Sequence, residues 1–442
     1  MLNIASEPDQ FVRSSEQSRV QRGTIHRSSA IEEVINDELL RTVFQPIVDL
    51  GSGATMGLEC LTRGPEGSEL ESPAALFAAA GAAGLVTELD WACRVAAIRT
   101  ALDRQVEKHL HLFINIEPSS FARRVPEHVS DVIRQGLHEL SIVIEITERA
   151  ITADPAALLN TLARIRAAGC NVAIDDLGVE RGSLAFLPFV EPDVIKIDMS
   201  LVQQPLTPRS TAIAAAVAAD AERRGALVVC EGIETADDRE RALILGADLG
   251  QGWLFGRPTS LPEVDIAVGA ESAPPIQLRS SSAAPALTPW SLVRDSPRRR
   301  RTTKRELMPI SHHLEQSGSY DRSATVVLGA FQRADFFTAA TLRRYSAIAA
   351  ESGFVAALGV EIPEQPVAGV RGVRIPVDHP LQGVWAVMVV GPFYAAALIA
   401  QDLGDTGPDD ARRFDYVTTY DRPVVIAAAR SLMQHITDDD SN

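Results

Sequence analysis

Cysteine is scarce in this chain: four in 442 residues, Cys60, Cys93, Cys170 and Cys230. They are scattered and form no C-x-x-C pair. That argues against a zinc ribbon or a disulfide framework and leaves small buried thiols in a reducing cytosol as the expected state. Positive charge is also short. The 42 Lys+Arg against 58 Asp+Glu leave a net charge of −16. A nucleic acid polymer, itself a polyanion, is a poor partner for such a chain. An anionic substrate would need metals or a local basic group to offset the field of the protein. Long apolar runs are missing too, since none reaches the roughly 18–20 residues of a membrane span. The first residues, MLNIASEPDQFVRSSEQ, have no apolar centre of the signal-peptide kind. A cytoplasmic protein without membrane contact is expected.

What is present is enough to fold. Hydrophobic residues make up 46% and charged residues 23%, which excludes collagen-like and wholly disordered chains. At roughly 100–200 residues per domain, two domains are expected. Residues 1–28 are polar and without periodicity, and read as a disordered lead. From 29 to 266 short β-rich runs alternate with longer helical stretches. Strands are expected at Val43–Val48, Thr55–Glu59, His111–Ile116, Ile142–Ile146, Asn171–Ile174, Val194–Ile197, Leu227–Cys230 and Leu249–Trp253. Helices are expected at Pro73–Ala83, Thr87–Leu102, Glu127–Glu139, Pro155–Ala168, Thr211–Arg224 and Ala236–Leu245, with Gly169, Gly225 and Gly246 placed to end three of them. Eight such strands predict a (β/α)8 barrel. Because only the short turn Asp49-Leu-Gly-Ser-Gly joins the first two, that pair should be a hairpin and the first strand antiparallel.

Residues 267–308 read as a linker by composition, with Ser280–Ser282 and an arginine run, Arg298–Arg301, expected to be a solvated tether. Residues 309–438 form a second, smaller α/β domain. Its expected strands are Ala324–Leu328, Val355–Val360, Val373–Pro376 and Trp385–Val390, and its expected helices Thr341–Ser352 and Ala395–Leu403. His312 and His313 read as solvated, His379 as a turn residue and Trp385 as core.

Polar groups recur at the carboxyl ends of the expected barrel strands: Glu59, Asn115, Glu145, Asp175 with Asp176, Lys196 with Asp198, Glu231 and Gln251. In a barrel these ends meet at one mouth, where active sites of this fold lie. Any one acid could be an N-cap or a solvated turn residue. Several like charges converging on one mouth require cations, and carboxylates with an amide oxygen suit Mg²⁺ or Mn²⁺ better than zinc.

The blocks around these residues carry a resemblance. In order they are Phe44-Gln-Pro-Ile, Glu59-Cys-Leu-Thr-Arg63, Asn115-Ile, Glu145-Ile-Thr-Glu148, Asp175-Asp-Leu-Gly178, Lys196-Ile-Asp198, Glu231-Gly-Ile-Glu234 and Gln251-Gly-Trp-Leu-Phe255. Residues 31–258 thereby resemble an EAL domain, the family of cyclic di-GMP phosphodiesterases. The resemblance implies a barrel with an antiparallel first strand that binds two divalent ions, Mg²⁺ or Mn²⁺, and hydrolyses cyclic di-GMP to linear pGpG. It implies metal ligands at Glu59, Asn115, Glu145, Asp175, Asp176 and Glu231. Lys196, Glu231 and Glu59 are the implied catalytic residues, and Arg63, Gln45 and Gln251 the substrate-binding ones. Glu148 and Glu234 are implied supports of the loops, and a homodimer through the barrel is implied as well.

One stretch departs from the family pattern. Where a glycine-rich loop usually follows the paired aspartates, Glu180 replaces a glycine and Gly182 lies two positions further on. A relative that binds cyclic di-GMP without cutting it is therefore the competing reading. Such relatives usually lose a metal ligand or the lysine, and neither is lost here. Residues 320–437 are similar to the DICT sensory domain through Phe336–Leu342, Gly359, Gly372-Val-Arg-Ile-Pro, Asp378-His-Pro-Leu, Val384-Trp-Ala-Val-Met-Val-Val, Phe393–Leu398, Ala400-Gln-Asp402, Arg413-Phe414 and Thr419. That similarity implies regulation of the barrel by a signal or partner.

Overall fold

The computed structural model describes residues 30–117, 120, 125–147, 154–178, 182–261, 287–317 and 322–437. The expected lead over 1–28, Glu148, Glu180 and the first part of the linker lie outside them. Eight strands close into a barrel: β1 Arg41–Asp49, β2 Thr55–Arg63, β3 His111–Ile116, β4 Ser141–Thr147, β5 Asn171–Leu177, β6 Val194–Ile197, β7 Leu227–Cys230 and β8 Leu249–Gln251. Most of their positions are buried, as a sheet covered on both faces requires.

The tight β1–β2 turn has the expected consequence. The Asp49 carboxylate accepts from the Ser52 backbone N–H at 2.6 Å, and the Asp49 N–H donates to the Ala54 carbonyl at 2.8 Å. A chain reversed so sharply cannot make a parallel crossover. β1 accordingly runs antiparallel to β8, with Ile47 opposite Gln251, while the pairs β2–β3 and β4–β5 through β7–β8 are parallel.

Helix ends follow local chemistry. The helix expected from Thr211 begins at Pro208, because Thr207 caps it in a reciprocal box with Ser210 and proline fits the first position. Gly169, Gly225 and Gly246 take φ of 81°, 68° and 88°. All four cysteines are free thiols and three are buried. Burial pushes the Cys170 and Cys230 thiols up to about 12, which keeps them unreactive.

The second domain is a seven-stranded sheet in the order β12-β11-β10-β13-β14-β15-β9. Its strands are β9 Arg300–Thr303, β10 Val326–Arg333, β11 Phe354–Val360, β12 Arg371–Arg374, β13 Val384–Val390, β14 Ala395–Asp402 and β15 Arg413–Thr419. β10, β11 and β12 are mutually parallel and the remaining neighbours antiparallel. Tyr345 and Ile348 of the helix Ala339–Glu351 pack with Phe331, Phe337 and Val355. Leu307 and Leu314 of the helix Lys304–Gln316 pack with Trp385, Leu398 and Phe414.

Three expectations are corrected here. Ala395–Leu403 is not a helix but the buried strand β14. Its alanines favour a helix in isolation, yet pairing with β13 on one side and β15 on the other decides. The linker is shorter than 267–308, because Pro289–Val293 is helical and Arg300–Thr303 is the edge strand β9 paired with β15. Arg301 there is exposed, as expected, but belongs to a strand rather than a tether, and forks onto Asp415 at 2.7 and 3.1 Å. His312 is half-buried in a helix rather than solvated. His379 does terminate a turn, its Nδ1 accepting from the Leu381 N–H at 3.2 Å.

The chain forms two compact units. One holds β2 and β3 with the helices around them; the other holds β5 to β8, most of β4 and the whole second domain. Among the described residues no helix is long and apolar enough to cross a membrane.

Candidate metal centre

The mouth of the barrel is built around a lysine. Lys196 on β6 is fully buried, a placement an ammonium tolerates only when it is paired. Its Nζ lies 2.8 Å from Glu145 Oε1, 2.9 Å from Asp175 Oδ1 and 2.7 Å from Glu231 Oε1. Those partners stand on β4, on β5 and just after β7. Three carboxylate oxygens at ion-pair distance hold the ammonium in place by charge.

Two carboxylate groups share Asp175. Oxygens of Glu59, Glu145 and Asp175 lie within 4.8 Å of one another, as do those of Asp175, Asp176 and Glu231. Five carboxylates thus gather against one ammonium. Asn115 on β3 donates its amide to Glu59 Oε1 at 3.4 Å, which brings its own carbonyl oxygen to the same place.

Asp175 and Asp176 are neighbours, and an unbroken strand would send them to opposite faces. The pairing of β5 with β6 slips between Ile174 and Leu177: three steps on β5 answer two on β6. Asp176 takes φ of 57° there. A bulge of this kind re-aims side chains, and aspartate is among the few residues that tolerate that backbone. The sequence reading missed this device, although the Asp-Asp pair next to Gly178, at φ 108°, is its only visible mark.

The remaining expected residues are placed less centrally. Gln251 is buried on β8 opposite β1. Gln45 is buried on β1 and donates to the Gly256 carbonyl at 3.0 Å. Arg63 is half-buried at the end of β2, its Nη1 on the Thr62 carbonyl at 2.8 Å. Asp198 is an N-cap, accepting from the Ser200 N–H at 2.9 Å. Glu234 is exposed and belongs to neither carboxylate group.

The donor set fits hard divalent cations: oxygen ligands only, mostly charged, and too many carboxylates for the single ammonium to neutralise. Fold and mouth together define a (β/α)8-type barrel with one reversed strand and an acidic, cation-demanding opening at the carboxyl ends of its strands. Residues 28–258, more than half the chain, match the family model described as the EAL domain, and the chain belongs to that family. Residues 290–403 match the model described as the sensory domain in diguanylate cyclases and two-component systems.

Over 226 residues the chain is 34% identical to the cyclic di-GMP phosphodiesterase RocR of Pseudomonas aeruginosa, covering 50% of this chain and 57% of that protein. Over 254 residues it is 30% identical to the probable cyclic di-GMP phosphodiesterase PdeB of Escherichia coli, covering 54% and 46%. Among solved structures, a manganese/cy-diGMP complex of Klebsiella pneumoniae BlrP1 is 31% identical, covers 50% of this chain and 56% of that one, and gives a TM-score of 0.45. The chain spans about half the length of these relatives.

Proposed function

We propose that this chain is a divalent-metal-dependent phosphodiesterase that hydrolyses cyclic di-GMP to linear pGpG, with the second domain regulating it. The observation that carries this reading is the gathering of five carboxylates at the barrel mouth, three of them paired with a buried ammonium. The names of the relatives supply the substrate. On this reading Glu59, Asn115, Glu145, Asp175, Asp176 and Glu231 hold two ions, Mg²⁺ or Mn²⁺. Bound divalent cations supply charge withdrawal from the phosphate oxygens and so make phosphorus open to attack.

The residues of the chain do the rest. Lys196, held among three carboxylates, presents its amino group at a fixed point, where it orients the attacking water or, in its neutral form, accepts that water's proton. Glu231 and Glu59 keep that water aligned with phosphorus. The new bond joins the water oxygen to phosphorus, the bond from phosphorus to the 3′ oxygen breaks, and the 3′ oxygen takes a proton. Arg63 meets the substrate phosphate from the end of β2, where its guanidinium is partly exposed, and Gln45 and Gln251 line the seam between β1 and β8. Glu148 and Glu234 support the loops around the site. The reading assigns catalysis to residues 29–266 and includes a homodimer formed through the barrel. The absence of a disulfide among the four cysteines is consistent with a cytoplasmic setting.

The test is turnover of cyclic di-GMP with Mg²⁺ or Mn²⁺, followed as linear product, in wild type and Glu59→Ala. Metal-dependent product from wild type, reduced by about 10²-fold or more in the variant, is expected. Binding of the cyclic dinucleotide without product, indifferent to added metal, would make the chain a binding module instead.

A further inference from the structure

The connection from β5 to β6 differs from its neighbours. Other crossovers carry full helices, such as Pro155–Ala167 and Pro208–Arg224. Among its described residues this one has only the 3-10 turn Ser183–Phe186 and one helical turn, Leu187–Val190. Residues 184–190 are all apolar, and 182–190 are all buried. A turn that is apolar all round needs cover on its outer side as well as against the sheet.

The second domain supplies that cover. The ring of Phe354, the first residue of β11, meets Phe186 edge to face at 5.2 Å. Gly182, with φ of 102°, lies so close to Gly353 that a Cβ on it would sit 2.8 Å from the Gly353 carbonyl oxygen. Arg430, in the helix Arg422–Met433, donates to the Phe189 carbonyl at 2.6 Å and pairs with the Glu191 carboxylate at 3.0 Å. Arg224 of the barrel pairs with the same carboxylate at 3.0 Å. Burial alone would raise the Glu191 carboxyl, but the two guanidiniums outweigh it and hold it below its ordinary value.

Glu191 stands at the entrance to β6. Its backbone is left-handed, φ 52°. Two residues on, Asp193 is latched to β5, its N–H donating to the Val172 carbonyl at 2.8 Å and its carboxylate accepting from the Val172 N–H at 2.9 Å. β6 is four residues long, and Lys196 is its third. A strand so short transmits a shift at its entrance directly to that side chain.

We propose that Arg430 and Phe354, both outside the barrel, are positioning residues for Lys196: by holding the β5–β6 crossover they fix where β6 delivers the ammonium. The catalytic consequence rests on the phosphodiesterase reading; the positional one does not. The second domain then regulates by docking, tightening or releasing the strand that carries the site's only buried cation among the described residues.

The experiment uses the full chain with Arg430→Met, Phe354→Ala, the conservative Arg430→Lys, and Arg305→Ala as a control on an exposed arginine. Hydrogen exchange should rise about 10-fold at Val194–Ile197 in the first two variants. The Kd for Mn²⁺, read by electron paramagnetic resonance, should rise about 10-fold. kcat should fall with KM for cyclic di-GMP held within about twofold, and Arg430→Lys should recover part of each change. The proposal is overturned if residues 184–190 exchange faster while β6 exchange and Mn²⁺ affinity match wild type. It is equally overturned if the crossover itself exchanges as in wild type. A wild-type chain that binds Mn²⁺ and gives no product defeats the phosphodiesterase reading alone, since exchange and Mn²⁺ affinity still decide the positional one.

Discussion

Buried charge occurs in both the barrel and the second domain, but it is balanced differently. In the second domain the buried Glu315 and the half-buried Asp402 each have a base. Glu315 pairs with Arg344 and accepts from Ser311 Oγ at 3.3 Å. Asp402 pairs with Arg412 and accepts from Gln332 at 3.1 Å, and Arg412 in turn donates to Gln332 at 2.7 Å. At the barrel mouth three carboxylates pair with one ammonium, and the carboxylates of Glu59 and Asp176 stand beside them. A closed network holds a fold together, and an open one is completed by something bound. The contrast separates structural from functional burial more sharply than burial itself, since Lys196 and Tyr345 are both fully buried.

The contrast breaks most visibly at Lys196. Lys196→Met should lower turnover by about 10²–10⁴-fold. Because the lysine competes with cations for the same oxygens, Mn²⁺ affinity should persist or increase. Product rates and Mn²⁺ titration check both halves. A variant that loses turnover and Mn²⁺ binding together would show that the ammonium builds the site and does not share it.

Arg344→Ala makes the opposite case. It leaves Glu315 buried without its base and should destabilise the second domain by about 3–5 kcal/mol, with Mn²⁺ affinity unchanged. Burial already raises the Glu315 carboxyl above its ordinary value, against the pull of Arg344. A carboxyl raised in the folded state stabilises the fold below its unfolded pKa and loses that contribution as pH climbs through the folded value. Removing the arginine raises it further, so the deficit should grow from about pH 4.5 upward and shrink in acid. Denaturant melts from pH 4 to 8 measure it. A deficit independent of pH would mean that lost packing of the arginine stem dominates.

The barrel was legible because its signals are local. Apolar runs, capping residues, terminal glycines and one tight turn each act within a few positions, and the strand-end acids lie beside them. What escaped the sequence depends on partners far along the chain. β14 reads as a helix until β13 and β15 flank it. The arginine run reads as a tether until Asp415 receives one of its members. Gly182 reads as a glycine two positions out of place, while the structure sets it against Gly353, more than 150 positions away. The bulge that turns Asp175 and Asp176 to one mouth leaves no periodic trace, because it is itself a break in period.

The smallest effect should come from Arg301, whose fork onto Asp415 has good geometry and yet lies on an edge strand, with 57% of the arginine side chain exposed. Water already solvates such a group, so little is lost when its partner goes. Arg301→Ala should shift the melting temperature of the second domain by less than about 2 °C at physiological salt, and the shift should vanish at about 1 M salt, where screening acts over roughly 3 Å. Thermal melts at the two salt concentrations, beside Arg344→Ala, measure burial at constant chemistry: in each variant one arginine is removed from one carboxylate. Equal losses from the two variants would mean that strand β9 depends on its ion pair rather than on its backbone ladder with β15. Balance of charge, not exposure, would then be the sole variable separating the two kinds of network.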